Sequence, residues 1–131
     1  MKHVEVVCAL IQNDEGKIFC CRRGPGRAME GLWEFPGGKI EPNESKEHAI
    51  LREIKEELNS VIKPIKYIGV VNHTYNDIEK PFSITMYGYL ATLVEGKLEL
   101  SEHTDSKWCT IDELSTVDFA AADIPFIDMI K

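Results

Sequence analysis

Apolar and polar positions divide the chain into strand-like runs grouped around one long helical pattern. Residues 3–11, rich in Val, Cys, Ala and Ile, predict a strand with a largely buried middle. Asn13, Asp14, Glu15 and Gly16 predict a turn and residues 17–22 a returning strand, the two strands forming a β-hairpin. Gly24-Pro25-Gly26-Arg27 is a loop, and Trp33-Glu34-Phe35-Pro36 leads into a pair of glycines. From Ser45 to Leu58 the period becomes helical. At about 100° per residue, Ile50, Leu51, Ile54 and Leu58 share one apolar stripe, and Glu53, Glu56 and Glu57 fall together on a neighbouring face, with small Ala49 one turn behind them. Ser45 caps the start, Glu47 faces the positive end of the dipole, and Asn59 is suited to the left-handed residue that ends the helix. Residues 62–75 contain another strand-like run, 76–81 a polar turn, and 82–94 a long alternating strand. Glu95-Gly96 turns the chain, and residues 106–109 predict a short strand. Thr110 and Glu113 make a capping box for a short helix. Residues 120–131 end the chain, with Asp123 expected as N-cap of a last helix and Pro125 in its first turn. Strands flanking a central helix, with another helix at the end, predict a mixed sheet packed between helices. Periodicity alone leaves α/β and α+β open.

Composition narrows the class. At 131 residues and 44% hydrophobic content, the chain is expected to be one soluble domain over residues 1–131. No apolar run approaches a membrane span, and Glu5 interrupts the first one, so neither a membrane partner nor a signal peptide is expected and a cytoplasmic location is. Cys8, Cys20, Cys21 and Cys109 contain no CxxC pair; buried reduced thiols fit them better than a disulfide framework or a zinc site. The net charge of −7 argues against a nucleic-acid polymer as partner, but not against a phosphorylated small molecule whose site is neutralised by divalent metal. Monomer and homodimer both stay open.

Carboxylates spaced three and four apart on a helix repel one another, and such a cluster is ordinarily a solvated face. Here the context argues otherwise: Gly37-Gly38 precede the helix, Glu44 follows Gly38 by six positions, and Arg52 stands directly before Glu53. Gly38, five residues, Glu44, seven residues, then Arg52-Glu53-Ile54-Lys55-Glu56-Glu57 resembles the Nudix box. The family pattern closes on a glycine and an aliphatic residue, where this chain has Asn59 and Ser60; Asn59 is expected to do the glycine's work and Val61 to supply the buried contact. The resemblance extends over nearly the whole chain. WEFPGGKIEPNES and AADIP are similar to the MutT-type nucleoside triphosphate pyrophosphohydrolases, most of all to their CTP pyrophosphohydrolase branch.

That resemblance implies a Nudix α/β/α sandwich with a mixed central β-sheet, and cleavage of a nucleoside triphosphate between the α and β phosphorus to give NMP and pyrophosphate. It implies Mg²⁺, with Mn²⁺ as a substitute, held by Glu53, Glu56 and Glu57, with Glu57 or Glu53 as the base. Hard oxygens on a rigid element suit that ion, which keeps waters and substrate phosphates as its other ligands. A backbone carbonyl at Gly37 is a further candidate ligand. Arg52 would orient a box carboxylate through its fork, and Gly38 and Glu44 would hold the loop. Glu102 is by itself an ordinary exposed loop acid; the resemblance makes it a metal ligand or base.

Arg22 and Arg23 read either as ordinary strand-end charges or as a phosphate clamp, with Arg23 the substrate-binding candidate. Phe35 or Tyr75 is a candidate to stack on a base. The MutT-type enzymes acting on 8-oxo-dGTP carry an asparagine where this chain has Asp123. A carboxylate accepts hydrogen bonds and cytosine N4 donates, so Asp123, if it does more than cap a helix, points to CTP, dCTP or an oxidised or methylated pyrimidine nucleotide. The alternative is 8-oxo-dGTP hydrolysis in nucleotide-pool sanitation. A non-catalytic nucleotide-sensing module is a remote third, since the box acids it would be expected to lose are all present. His3, His48, His73 and His103 lack ligand spacing and carry no assignment.

Overall fold

The computed structural model describes residues 1–131. In chain order the elements are β1 (Lys2–Ile11), β2 (Ile18–Arg23), β3 (Trp33–Glu34), β4 (Gly37–Lys39), α1 (Lys46–Leu58), β5 (Val61–Tyr75), β6 (Phe82–Glu95), β7 (His103–Cys109), a 3₁₀ turn (Asp112–Thr116) and α2 (Ile124–Met129). A four-stranded sheet runs β4-β1-β6-β5, and a three-stranded sheet β3-β2-β7. The larger sheet is mixed, because β1 pairs parallel with β6 and antiparallel with β4.

β1 explains the layering. Every residue from Val6 to Ile11 is buried, the continuous apolar run of a strand covered on both faces. Val7, Ala9 and Ile11 pack with Ala49, Ile50, Ile54 and Leu58 of α1. Val6, Cys8 and Leu10 face the opposite core, with Phe35, Phe119, Phe126 and Ile127. Helices therefore lie on both sides of a mixed sheet, the α/β/α arrangement expected.

Local signals account for most of the element ends. Ser45 Oγ accepts from His48 N at 3.1 Å, and Asn59 takes φ 47°, ψ 44° to close α1. The Thr110–Glu113 capping box forms in both directions, at 2.8 and 3.2 Å, although it opens a 3₁₀ turn.

Five expectations need correction. β1 and β2 do not form a hairpin: β1 already has β4 and β6 beside it, so β2 joins β3 and β7, and a single bridge between Gln12 and Ile18 remains. Leu51 is 40% exposed; Ala49 takes its place on the buried stripe of α1. The strand expected at 106–109 begins earlier, at His103. Asp123 precedes α2 without capping it through its side chain.

The fifth concerns Ser60, which is itself buried, more deeply than the half-buried Val61 expected in its stead. Its hydroxyl donates to Leu58 O at 2.8 Å and accepts from Leu98 N at 2.9 Å. Ser60→Ala leaves the Leu98 N–H buried without a partner, and we expect a loss of about 1–3 kcal/mol in urea denaturation.

Candidate functional site

α1 carries its acids against a cleft of about 1040 Å³ whose lining includes Arg23, Arg27, Glu34, Gly38, Glu53, Glu57 and Asp123. The three box glutamates do not share one environment. Glu53 and Glu57 face the cleft, whereas Glu56 is exposed and meets Arg52 at 3.3 Å. Gly38 makes room for Glu53: a Cβ on Gly38 would lie 2.3 Å from the Glu53 carboxyl. Gly37, at the start of β4 opposite Cys8, lines the same wall.

Arg52 fixes this group from behind. Its fork donates to both oxygens of Glu44, at 2.7 and 2.8 Å, while Nη1 reaches Glu53 at 2.9 Å and Nη2 reaches the Lys39 carbonyl at 2.9 Å. Glu44 also accepts from Glu41 N at 2.9 Å and His48 Nδ1 at 2.7 Å. The Arg52 hydrogen bonds, with that from Glu41 N, hold the Glu44 carboxyl far below the usual carboxylate range. Helix and preceding loop are thus tied together through one guanidinium.

The cleft acids are pushed the other way. Burial, reinforced by the charge of Glu53, raises Glu57 to about 8. Burial also raises Glu53, against the pull of Arg52. Glu57 Oε2 is buried and has no hydrogen-bond partner in the protein. An unpartnered carboxylate oxygen beside a second raised carboxyl, against a wall open to close approach, fits a hard divalent cation, whose charge would offset the cost of burying both groups in ionised form.

Glu34, on β3, is the hub of a second cluster. It accepts from Arg23 Nη1 at 2.6 Å and from His103 Nε2 at 2.8 Å. Burial raises its carboxyl, but the bonds from His103 and Arg23 outweigh that and leave it below the usual range. Ligand atoms of Cys21, Glu34 and His103 all lie within 4.8 Å of one another, so this group can also hold a divalent ion. Its sulfur and imidazole donors suit borderline ions better than magnesium. Sequence spacing hides it, because three different strands supply the donors; only the pairing of Cys21 with Glu34, and of Arg23 with His103, brings them together.

The remaining candidates divide. Arg23 lines the cleft but is engaged with Glu34 and the Ala28 carbonyl. Phe35 is 2% exposed and its ring packs on Phe119 at 4.8 Å, so its ring belongs to the core. Tyr75 accepts from Ala122 N at 2.9 Å, holding the segment before α2. Asp123 Oδ2 accepts from Phe35 N at 2.9 Å. Burial lifts the Asp123 carboxyl well above the usual range, and the nearby charge of Glu34 adds to the effect. Glu102 stands exposed at the rim, paired with Arg27 Nη1 at 2.6 Å. Arg27 is a cleft residue that the motif did not point to.

Comparison with known proteins agrees with this geometry. The NUDIX domain model matches residues 1–130. The CTP pyrophosphohydrolase of Escherichia coli (strain K12) is 36% identical over 128 residues, covering 98% of this chain and 91% of that protein. The 8-oxo-dGTP diphosphatase of the same organism is 30% identical over 131 residues, covering 100% of this chain and 98% of that one. The solution structure of the E. coli ORF135 protein superposes with a TM-score of 0.78 at 34% identity, covering 99% of this chain and 89% of that one. No helix is long and apolar enough to cross a membrane. With Glu53 and Glu57 of α1 turned into a cleft and the family model spanning the chain, this protein belongs to the NUDIX family, as a MutT-like pyrophosphohydrolase of nucleoside triphosphates.

Proposed function

We propose that the chain hydrolyses 8-oxo-dGTP to the monophosphate and pyrophosphate, with Mg²⁺ held by Glu53 and Glu57. The observation that carries the base assignment is the state of Asp123. Burial, with the nearby charge of Glu34, raises the Asp123 carboxyl and so favours its neutral form, which presents one donor and one acceptor, as an asparagine does. That removes the reason for preferring a cytosine edge, which required an ionised acceptor. It restores the purine reading associated with asparagine at this position.

In this reading Mg²⁺, when bound, supplies charge neutralisation on the phosphoryl oxygens and a more acidic water. Glu53 and Glu57 would hold that ion, the unpartnered Glu57 Oε2 facing it, and a Glu57 oxygen not engaged by the ion would be the acceptor for a proton from the attacking water. Arg52 locks Glu53 in place, and Glu44 locks Arg52. Glu56, exposed and paired to Arg52, serves as an outer partner or second-ion ligand.

Hydrolysis of CTP or dCTP is the second reading, favoured by the 36% identity to the E. coli CTP pyrophosphohydrolase. Pyrophosphate release from 8-oxo-dGTP, dGTP, CTP and dCTP separates the two. We expect 8-oxo-dGTP to exceed dGTP and CTP in kcat/KM by about tenfold or more. Asp123→Asn should preserve that preference. A wild type that favours CTP, and loses that activity on Asp123→Asn, would establish the second reading instead.

A further inference from the structure

We propose that Arg27 is a phosphate-positioning residue kept in reserve by Glu102, and that binding of the metal-nucleotide exchanges its partner from carboxylate to phosphate. The inference rests on the hydrolase reading above and concerns a residue outside the sequence motif.

The cations around the cleft are not equivalent. Arg52 is committed to Glu44, Glu53 and the Lys39 carbonyl, and Arg23 to Glu34 and the Ala28 carbonyl. Arg27 lines the cleft yet has one side-chain partner, Glu102 Oε2 at 2.6 Å, and the two side chains are 35% and 55% exposed. An ion pair this exposed is weak, whereas a guanidinium and a polyphosphate match in charge and in the geometry of two parallel hydrogen bonds. The pair bridges the cleft rim from the loop after β2 to the segment before β7, and both charges act on Glu57. The loop is anchored at its base, since a Cβ on Gly24 would lie 2.5 Å from the Glu102 carbonyl oxygen. Arg27 can therefore swing toward the phosphates while its loop stays docked.

Two consequences of opposite sign follow. In the free protein the pair withholds Glu102 from any cation between it and Glu57. With nucleotide bound, Arg27 leaves Glu102 and the carboxylate is released. Metal and triphosphate should then each strengthen binding of the other, because a single exchange serves both.

The test is Mg²⁺ titration by calorimetry without nucleotide, alongside steady-state kinetics, on wild type, Arg27→Ala and Arg27→Lys. We expect Arg27→Ala to bind Mg²⁺ alone about two- to fivefold more tightly, the fold-change of an exposed ion pair. Its KM for the triphosphate should rise about tenfold, with Arg27→Lys intermediate in KM. A variant damaged only structurally would weaken both. Unchanged or weaker Mg²⁺ binding in Arg27→Ala, or an unchanged KM, overturns the proposal. A wild type that binds no Mg²⁺ and releases no pyrophosphate fails the underlying reading instead, and this proposal falls with it.

Discussion

Glu57→Gln should lower kcat by about three orders of magnitude, roughly 4 kcal/mol of transition-state stabilisation. The amide keeps the shape of the side chain but removes the charge that holds a cation and the oxygen that accepts a proton. The pH dependence distinguishes this from a general loss of fold. Glu57 is raised to about 8 from the ordinary 4.5, so without metal it is protonated at pH 6–7 and must give up that proton to bind a cation. Mg²⁺ affinity should rise with pH until about 8 and then level off. Calorimetry in buffers of different ionisation heat should find close to one proton released at pH 6.5, and none from this group in the glutamine variant. The sign for stability is the reverse. A raised carboxyl favours the folded state below 4.5, and that contribution is lost as pH rises through about 8, so the metal-free chain should weaken over this window. Wild-type turnover in Glu57→Gln, with undiminished proton release, would remove this residue from the site.

Helix α1 was legible because its signals are local. Ser45, Asn59 and the spacing of Ile50, Ile54 and Leu58 each act within a few residues, and the structure uses them as read. The same wheel placed Glu56 beside Glu57, yet one is exposed and the other carries a buried oxygen. That difference comes from what packs across from the helix. Pairing between distant strands was the harder part. The parallel alignment of β1 with β6 joins Lys2 to Phe82, and no period in either run announces it, so sequence adjacency wrongly favoured a hairpin. Asp123 failed for a related reason: its position satisfies the rule for a helix cap, but a backbone N–H from Phe35 claims the carboxyl oxygen first. His103 and Arg27 sit in short polar stretches and acquire partners only through the fold.

Arg52→Lys should cost about 10- to 100-fold in Mg²⁺ affinity or turnover, although Arg52 need touch neither metal nor substrate. Lysine keeps the charge but has a single nitrogen. It cannot engage both oxygens of Glu44, at 2.7 and 2.8 Å, while also reaching Glu53 at 2.9 Å and the Lys39 carbonyl at 2.9 Å. Glu53 would then be free to leave the wall opened by Gly38, and the helix to shift against the loop that Glu44 anchors. Acid stability supplies a second readout. Glu44 is held far below its ordinary range by Arg52, so its contribution to folding is complete above the unfolded value near 4.5 and is lost as pH falls toward the depressed one. With lysine the depression shrinks, and the acid-unfolding midpoint followed by circular dichroism should move to higher pH. Because the bond between Arg52 and Glu44 precedes any ligand, this shift should appear in the metal-free chain and be absent in Glu57→Gln, whose carboxyl makes no bond to that guanidinium. Loss of turnover with neither metal affinity nor the acid midpoint moved would mean that Arg52 meets the substrate itself; the shift without loss of affinity or turnover would confine it to folding.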